Sequence, residues 1–375
     1  MRSNMASERI RVLIVDDSAL VRRLLSDMLG DVPDIQVVGT AGDAFVAREQ
    51  IKVLNPHVLT LDVEMPKMDG LTFLRNLMRL RPMPVVMIST LTEHGADVTL
   101  EALAIGAVDY LPKPKMDLAH TLVDYKEELA TKIRTAAGAR IAARGEPRPS
   151  GAPLNKSAAS PVNFLRTTEK IIGIGASTGG TEAIKDILIE MPPDAPGIVI
   201  VQHIPKAFSG AFARRMDSLC RMTVCEAEDG QQILRGHVYI APGDAHLMVC
   251  RDGARYRCRL DRGERVSGHI PSVDVLFRSL ASEVRGNAMG VILTGMGKDG
   301  AVCLKEMREA GCPTVAQDEA SSLVWGMPGA AVHLDAADEV LALEKIHLRM
   351  LAFAGETGIT RAPPVGQYSR VTGNE

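Results

Sequence analysis

Residues 171–180 read Ile171-Ile172-Gly173-Ile174-Gly175-Ala176-Ser177-Thr178-Gly179-Gly180, an apolar β-branched run that stops abruptly in glycines. Helix-compatible Glu182, Ala183 and Ile184 follow, so the stretch reads as strand, sharp turn and helix with Ser177 at the bend. The spacing Gly175-x-Ser177-x-Gly179 is that of a nucleophile elbow, whose glycines let the chain turn tightly enough to lift a serine Oγ beyond the sheet. The next helix N-terminus would aim free N–H groups at a developing oxyanion. A phosphate-cradling loop and a plain tight turn remain open readings. A dinucleotide fingerprint fits less well. Its glycines would be spaced G-x-G-x-x-x-G, and the next apolar strand, 198–201, ends in Gln202 and His203 where a ribose-binding acid is expected.

The length of 375 residues suggests about two domains, each able to bury a sizeable core. Apolar residues make up 46% and aromatics only 3%, which suits aliphatic α/β layers rather than an aromatic-rich sandwich. A net charge of −3, from 43 basic and 46 acidic residues, argues against a nucleic-acid partner. No apolar run approaches the roughly 20 residues of a membrane span, and Met1 to Arg11 is too polar for a signal peptide. No membrane insertion and a cytoplasmic location are therefore expected. The six cysteines, Cys220, Cys225, Cys250, Cys258, Cys303 and Cys312, form no C-x-x-C pair and read as reduced, mostly buried thiols.

Working outward, the first 130 residues alternate strand-like and helix-like stretches. Residues 10–15 form an apolar strand delivering Asp16 and Asp17, and Ser18 caps the helix after it. Four more such repeats follow, with strands at 36–39, 58–61, 84–88 and 108–111 and a last helix near 118–133, which describes a doubly wound parallel sheet. Polar residues gather where the strands end: Asp16 and Asp17, Asp62, Ser89 and Lys113. Carboxylates converging from several strands suit an oxygen-seeking cation such as Mg²⁺. Asp62 is placed to attack a phosphoryl group, and Lys113 to pair with the product oxygens.

Asp16-Asp17, Asp62 followed by Met65-Pro66 and Asp69-Gly70, Ser89, and Lys113-Pro114 together resemble the receiver domain of a two-component response regulator. The resemblance implies that Asp62 accepts phosphate from a histidine kinase, and that Asp16, Asp17, Asp62 and the carbonyl of Glu64 arrange Mg²⁺. It further implies that Ser89 and Tyr110, with Lys113, report phosphorylation to a partner surface, and that the Lys113–Pro114 bond is cis.

From Gly138 to about Arg166 periodicity disappears into Gly, Pro, Ser and Ala, a tether rather than a core. The expected organisation is a receiver at 8–135, a flexible linker at 136–167, a second domain at 168–355 and a frayed tail at 356–375. After the Ser177 turn come a helix to about Glu190, a strand at 198–201, a helix capped by Ser209, and shorter strands with a hairpin at Asp252-Gly253. A helix from Pro271 to Arg285, strands at 289–293 and 314–316, a loop carrying Trp325, Met327 and Pro328, and a helix over 338–351 complete it.

Three strand ends in this half carry reactive side chains: Ser177, His203 and Asp299. These are a nucleophile, a general base and a carboxylate to orient the imidazole. Their chain order, Ser, His, Asp, differs from the Ser, Asp, His of α/β-hydrolases. His246, in a strand-like run, and His269, in a polar loop, read as core or surface histidines. Asp299 also reads as a helix N-cap.

Gly175-Ala176-Ser177-Thr178-Gly179-Gly180, Gln202-His203-Ile204-Pro205 and Thr294-Gly295-Met296-Gly297-x-Asp299-Gly300-Ala301 together resemble the catalytic domain of the chemotaxis protein-glutamate methylesterases, the CheB family. The fold implied is two doubly wound α/β domains, an N-terminal (βα)5 receiver and a C-terminal parallel-sheet methylesterase domain with an added β-hairpin region. The activity implied is hydrolysis of glutamyl γ-methyl esters on chemoreceptor helices, and deamidation of receptor glutamines, with no cofactor for hydrolysis. In that chemistry Ser177 attacks, His203 moves the proton and Asp299 steadies His203, while N–H groups near Thr178 and Met296 are the oxyanion candidates. Lys298 stands where such proteins often carry asparagine. An unphosphorylated receiver is expected to cover the Ser177 cleft. Two rival readings are a receiver-controlled binding module holding a phosphorylated ligand at the Ser177 loop, and a nucleotide oxidoreductase. A transcription factor is disfavoured because no basic helix-turn-helix segment follows the linker.

Overall fold

The computed structural model describes residues 9–90, 93–114, 119–141 and 170–355. Most of the expected linker and the whole expected tail lie outside the described residues, as does the start of the Met1 to Arg11 segment.

The first half runs β1 (Ile10–Val15), α1 (Ala19–Gly30), β2 (Ile35–Ala41), α2 (Ala44–Leu54), β3 (Val58–Asp62), α3 (Gly70–Leu80), β4 (Val85–Ser89), α4 (Glu93–Ile105), β5 (Asp109–Pro112) and α5 (Ala119–Gly138). Its sheet is parallel throughout, in the order β2-β1-β3-β4-β5. Side-chain caps start three of these helices, the first at Ser18 as the sequence predicts. Ser18 accepts from Val21 N–H, Asp43 from Phe45 and Val46, and Asp69 from Thr72. Gly70 has a steric reason: a Cβ there would stand 2.1 Å from the carbonyl oxygen of Asp62, so the loop can close over the third strand end only without a side chain.

The second half runs β6 (Ile171–Ala176), α6 (Gly180–Leu188), β7 (Gly197–Gln202), α7 (Lys206–Leu219), β8 (Thr223–Glu226), β9 (His237–Ile240), β10 (His246–Asp252), β11 (Arg255–Asp261), α8 (Val273–Glu283), β12 (Ala288–Ile292), α9 (Ala301–Glu309), β13 (Thr314–Gln317), α10 (Met327–His333), β14 (Glu339–Leu341) and α11 (Leu343–Gly355). The main sheet is parallel, in the order β14-β13-β12-β6-β7-β9-β8, and β10 pairs with β11 as a separate antiparallel hairpin. Its central strands β12, β6 and β7 are buried along their whole length, as continuous apolar runs between two helical layers must be. Both expected sheets and the hairpin are present.

Four local expectations are corrected. Ser209 is not a cap: Pro205 is the N-cap and its carbonyl accepts the Ser209 N–H, which leaves the Ser209 hydroxyl a turn inside α7, bonded to Glu226 at 2.5 Å. Residues 339–341 are a short strand pairing with Val315–Gln317, so the last helix starts only at Leu343. The loop expected around Met327 and Pro328 is α10, with Pro in its first turn, where a missing N–H costs nothing. Among the described residues the cis bond is Ile270–Pro271 and not Lys113–Pro114; the Lys113 N–H donates to the Ser89 carbonyl at 2.7 Å.

All six cysteines are free, four of them buried. Among the described residues no helix is long and apolar enough to cross a membrane. The two halves meet: α4 packs against α6 and α7, and one apolar cluster runs from the strands of the first half through Tyr110 and Phe208 into β6 and β7.

Candidate active site and phosphorylation site

Three neighbouring strand ends build the candidate active site. β6 lies between β7 and β12, with Ala176 opposite Gln202 and Gly175 opposite Ile292. Backbone bonds carry the alignment past the strands: His203 N–H donates to the Ala176 carbonyl at 3.1 Å, and Ser177 N–H to the Thr294 carbonyl at 3.1 Å. The turn is pinned from two sides. Gln202 Nε2 donates to the Ser177 carbonyl at 2.9 Å, and Thr294 Oγ1 to the Thr178 carbonyl at 3.0 Å. Gly295 must be glycine here, since a Cβ would stand 2.7 Å from Ser177 Cβ.

His203 Nε2 and Asp299 Oδ2 are 2.8 Å apart. A carboxylate only accepts, so Nε2 carries the proton and Nδ1 keeps its lone pair. That Nδ1 is buried and has no hydrogen-bond partner, which leaves a basic nitrogen free in the site. The ring is thus used with its nitrogens exchanged relative to the chymotrypsin arrangement, where Nδ1 faces the acid. Among the described residues Ser177 Oγ makes no hydrogen bond to His203. A base–nucleophile contact that is loose without substrate is common in hydrolases.

Asp299 is buried, and its expected role as the cap of the helix after it is corrected by the structure. Gly300 is the N-cap of α9, with no side-chain cap bond, whereas the Asp299 carboxylate accepts Val273 N–H at 2.7 Å, Asp274 N–H at 3.1 Å and Ser272 Oγ–H at 2.8 Å, all at the N-terminus of α8. Burial alone would raise the Asp299 carboxyl, but the bonds from His203, Val273 and Ser272 prevail and hold it well below the usual range. The carboxylate therefore stays charged and fixed. His246 supports this cradle: its Nδ1 accepts the Ser272 N–H at 3.1 Å and its Nε2 donates to the Glu264 carbonyl at 2.8 Å, a core histidine as expected. His269 differs from expectation. It is no ordinary surface histidine, for its ring stacks on His203 with centroids 3.8 Å apart and planes 9° apart.

Thr178 is buried and Met296 exposed, and neither backbone N–H donates a hydrogen bond among the described residues. Lys298 is exposed, and its carbonyl accepts the Ala301 N–H. Sequence reasoning missed Ser272, Val273 and Asp274 as donors, although a helix opening near Pro271 was a signal that free N–H groups lay there.

The second site lies at the carboxyl edge of the receiver sheet. Asp16, Asp17 and Asp62 bring ligand oxygens within 4.8 Å of one another, a set compatible with a divalent cation. Asp16 Oδ2 and Asp62 Oδ1 are buried without hydrogen bonds, so the cluster has unsatisfied acceptors for an ion to fill. Lys113 Nζ donates to Asp62 Oδ2 at 2.8 Å and lies 3.4 Å from Asp16 Oδ2, an ion-pair distance without a hydrogen bond. Burial raises the Asp62 carboxyl to about 6, with Lys113 opposing and Asp16 adding to it. Glu64 borders an open cleft with Asp17, Met65 and Asp69. Ser89 is wholly buried, and the buried Tyr110 ring stands 4.7 Å from Phe208 of α7.

The receiver also reaches the candidate active site directly. Asp109 Oδ2 accepts from Thr178 Oγ1 at 2.5 Å while its Oδ1 pairs with Lys132 at 2.8 Å. Thr135 Oγ1 lies 2.8 Å from Met296 Sδ, and Arg140 pairs with Glu319 at 2.7 Å.

Residues 172–350 match the family described as CheB methylesterase, and residues 12–123 the response regulator receiver domain. A protein of Xanthomonas campestris pv. campestris named protein-glutamate methylesterase/protein-glutamine glutaminase 1 is 56% identical, over 92% of this chain and 98% of its own. A protein-glutamate methylesterase/protein-glutamine glutaminase of Hydrogenovibrio crunogenus is 54% identical, with 92% and 98% covered. Among solved structures, the Thermotoga maritima CheB methylesterase catalytic domain is 36% identical with a TM-score of 0.48, covering 49% of this chain and 98% of that one. The response regulator domain of Thermotoga maritima CheB is 44% identical with a TM-score of 0.33, covering 36% and 99%.

Proposed function

The chain belongs to the CheB methylesterase family, and from that premise we propose that it is a phosphorylation-controlled serine hydrolase of chemotaxis adaptation. Its reaction is removal of methyl groups from glutamyl γ-methyl esters on the cytoplasmic helices of chemoreceptors, with deamidation of glutamines there as the related reaction. The observation that carries this reading is the His203–Asp299 pair, 2.8 Å long, beside the Ser177 turn with Nδ1 left free.

In this reading Ser177 Oγ attacks the ester carbonyl carbon as His203 Nδ1 takes its proton, and Asp299 stabilises the resulting imidazolium. The N–H groups of Thr178 and Met296 hold the oxyanion. Collapse expels methanol, which receives the proton from His203, and leaves an acyl group on Ser177. Water, deprotonated by His203, then releases the glutamate. An amide in place of the ester gives deamidation by the same steps with ammonia leaving.

Control comes from the receiver, with Asp62 as acceptor of phosphate from a histidine kinase and Ser89, Tyr110 and Lys113 as its switch. Asp16, Asp17 and Asp62, with the Glu64 carbonyl, would hold Mg²⁺. When bound, that ion supplies positive charge against the phosphoryl oxygens. The Asp109–Thr178 and Tyr110–Phe208 contacts support occlusion of the cleft before phosphorylation. Kinase, receptors and this protein would meet in the cytoplasm.

The test is methanol release from a methylated receptor fragment by the full chain. Turnover that rises with a small phosphodonor and vanishes in Ser177→Ala and His203→Ala is expected. Substrate binding without turnover in the unaltered protein would favour the binding-module reading instead.

A further inference from the structure

We infer that His269 is a positioning residue for the hydrolase reaction, a neutral aromatic plate that fixes the plane of the His203 ring and accommodates the charge arising on it. The inference rests on the reading of His203 as the base. The two rings are nearly parallel, 9° apart, at a centroid separation of 3.8 Å. His203 is held at one nitrogen only, by Asp299, so a single hydrogen bond leaves it free to pivot about that contact. A plate against one face removes that freedom and keeps Nδ1 in place.

The plate is itself built in. Val266 and His269 exchange backbone hydrogen bonds at 3.0 and 2.9 Å across a two-residue turn in which Ser267 and Gly268 both have positive φ, 53° and 81°. Ser267 Oγ donates to Asp274 Oδ2 at 2.9 Å. Asp274 belongs to the N-terminus of α8, the same turn that cradles Asp299. One block of structure thus fixes the carboxylate, the base and the ring stacked on it.

Charge sharpens the argument. When His203 takes a proton, a neutral stacked ring presents π density to the new cation, whereas a protonated one would repel it. Burial and the neighbouring His203 lower the His269 ring to about 4, with Arg265 on its own loop and Lys132 of α5 acting the same way and Asp299 opposing them. His269 is therefore neutral throughout the range in which His203 would work.

The test is steady-state methanol release from a methylated receptor fragment by the full-length, phosphodonor-activated protein. His269→Phe, planar and neutral, should keep kcat within about threefold of the unaltered protein. His269→Leu, neutral and of similar bulk but not planar, should lower kcat about tenfold with KM within about twofold. Melting temperatures of both variants, measured alongside, separate loss of turnover from loss of folding. Wild-type kcat in His269→Leu, an equal loss in His269→Phe, or a change confined to KM would each overturn the inference. His203→Ala distinguishes the premise: if it still turns over, both readings fall, and if it is dead while His269→Leu is fully active, only the stacking role falls.

Discussion

Asp62 ends a central strand of one parallel sheet and Asp299 lies beyond a central strand of the other, with 1% and 2% of their surface exposed. Burial is the largest influence on both and pushes both carboxyls up, yet Asp62 ends at about 6 and Asp299 well below the usual range. The difference lies in fixed donors. Asp299 takes two backbone N–H groups, a serine hydroxyl and an imidazole, whereas the Asp62 side chain takes Lys113, faces Asp16, and has an oxygen left over. A buried carboxylate with all its bonds made is a fixed electrode. One with bonds unmade is ready to receive a cation or a phosphoryl group.

The largest expected effect breaks the electrode. Asp299→Asn keeps shape but removes the charge proposed to stabilise an imidazolium at His203, and its amide can present an N–H where Nε2–H needs an acceptor. Turnover should fall by about 10³–10⁴-fold, the scale seen when a triad aspartate is so altered. Phosphate incorporation at Asp62, measured on the same sample, should be unchanged. A loss of turnover below about tenfold would mean that the satisfied carboxylate is merely structural.

The second effect concerns the unsatisfied carboxylate and runs with pH. The Asp62 group, raised to about 6 from 3.8, makes ionisation of the folded receiver costly. The folded state binds more protons than the unfolded one between those values, so this cost is fully present above about pH 6 and is relieved as pH falls toward 3.8. Asp62→Asn should therefore stabilise the metal-free protein by about 1–2 kcal/mol at pH 7.5, and by less at pH 5. Mg²⁺ must compete with the same proton, so its affinity, measured by calorimetry, should drop about tenfold from pH 7.5 to 5. Stabilisation that grew as pH fell would reverse the sign of this account.

The contrast also marks what sequence could show. Alternating strands and helices exposed both sheets, and Asp62, Ser177, His203 and Asp299 were legible because each follows a β-branched run. The cradle of Asp299 was not legible, since its donors at Ser272 to Asp274 lie about 25 residues upstream and meet it only through the fold. His269 was hidden for a similar reason: a histidine in a polar loop gives no local sign of the ring it will face. Glu339–Leu341 reads from sequence as part of the following helix because a three-residue edge strand carries too little alternation to announce itself. The contact between the halves, being between domains joined by an aperiodic tether, left no periodic trace at all.

The smallest effects test how the two carboxylate sites are coupled, and they should be graded by burial. Asp109 reaches Thr178 from a buried position, so under the occlusion proposed above its bond adds to the covered state alone. Losing one such charge-assisted bond in Asp109→Ala should raise unphosphorylated turnover about fivefold, equivalent to about 1 kcal/mol. Arg140 and Glu319 form an ion pair between the halves, but each side chain is more than half exposed, at 55% and 54%, where ion pairs contribute roughly 0–1 kcal/mol and are screened by salt. Arg140→Ala should therefore raise unphosphorylated turnover only about twofold at low salt. Half-molar salt should remove the difference between it and the unaltered protein while leaving most of the Asp109→Ala effect in place. Equal effects from the two substitutions, or a loss of both in salt, would mean that the receiver is held over Ser177 by long-range charge rather than by the buried bond at the nucleophile turn.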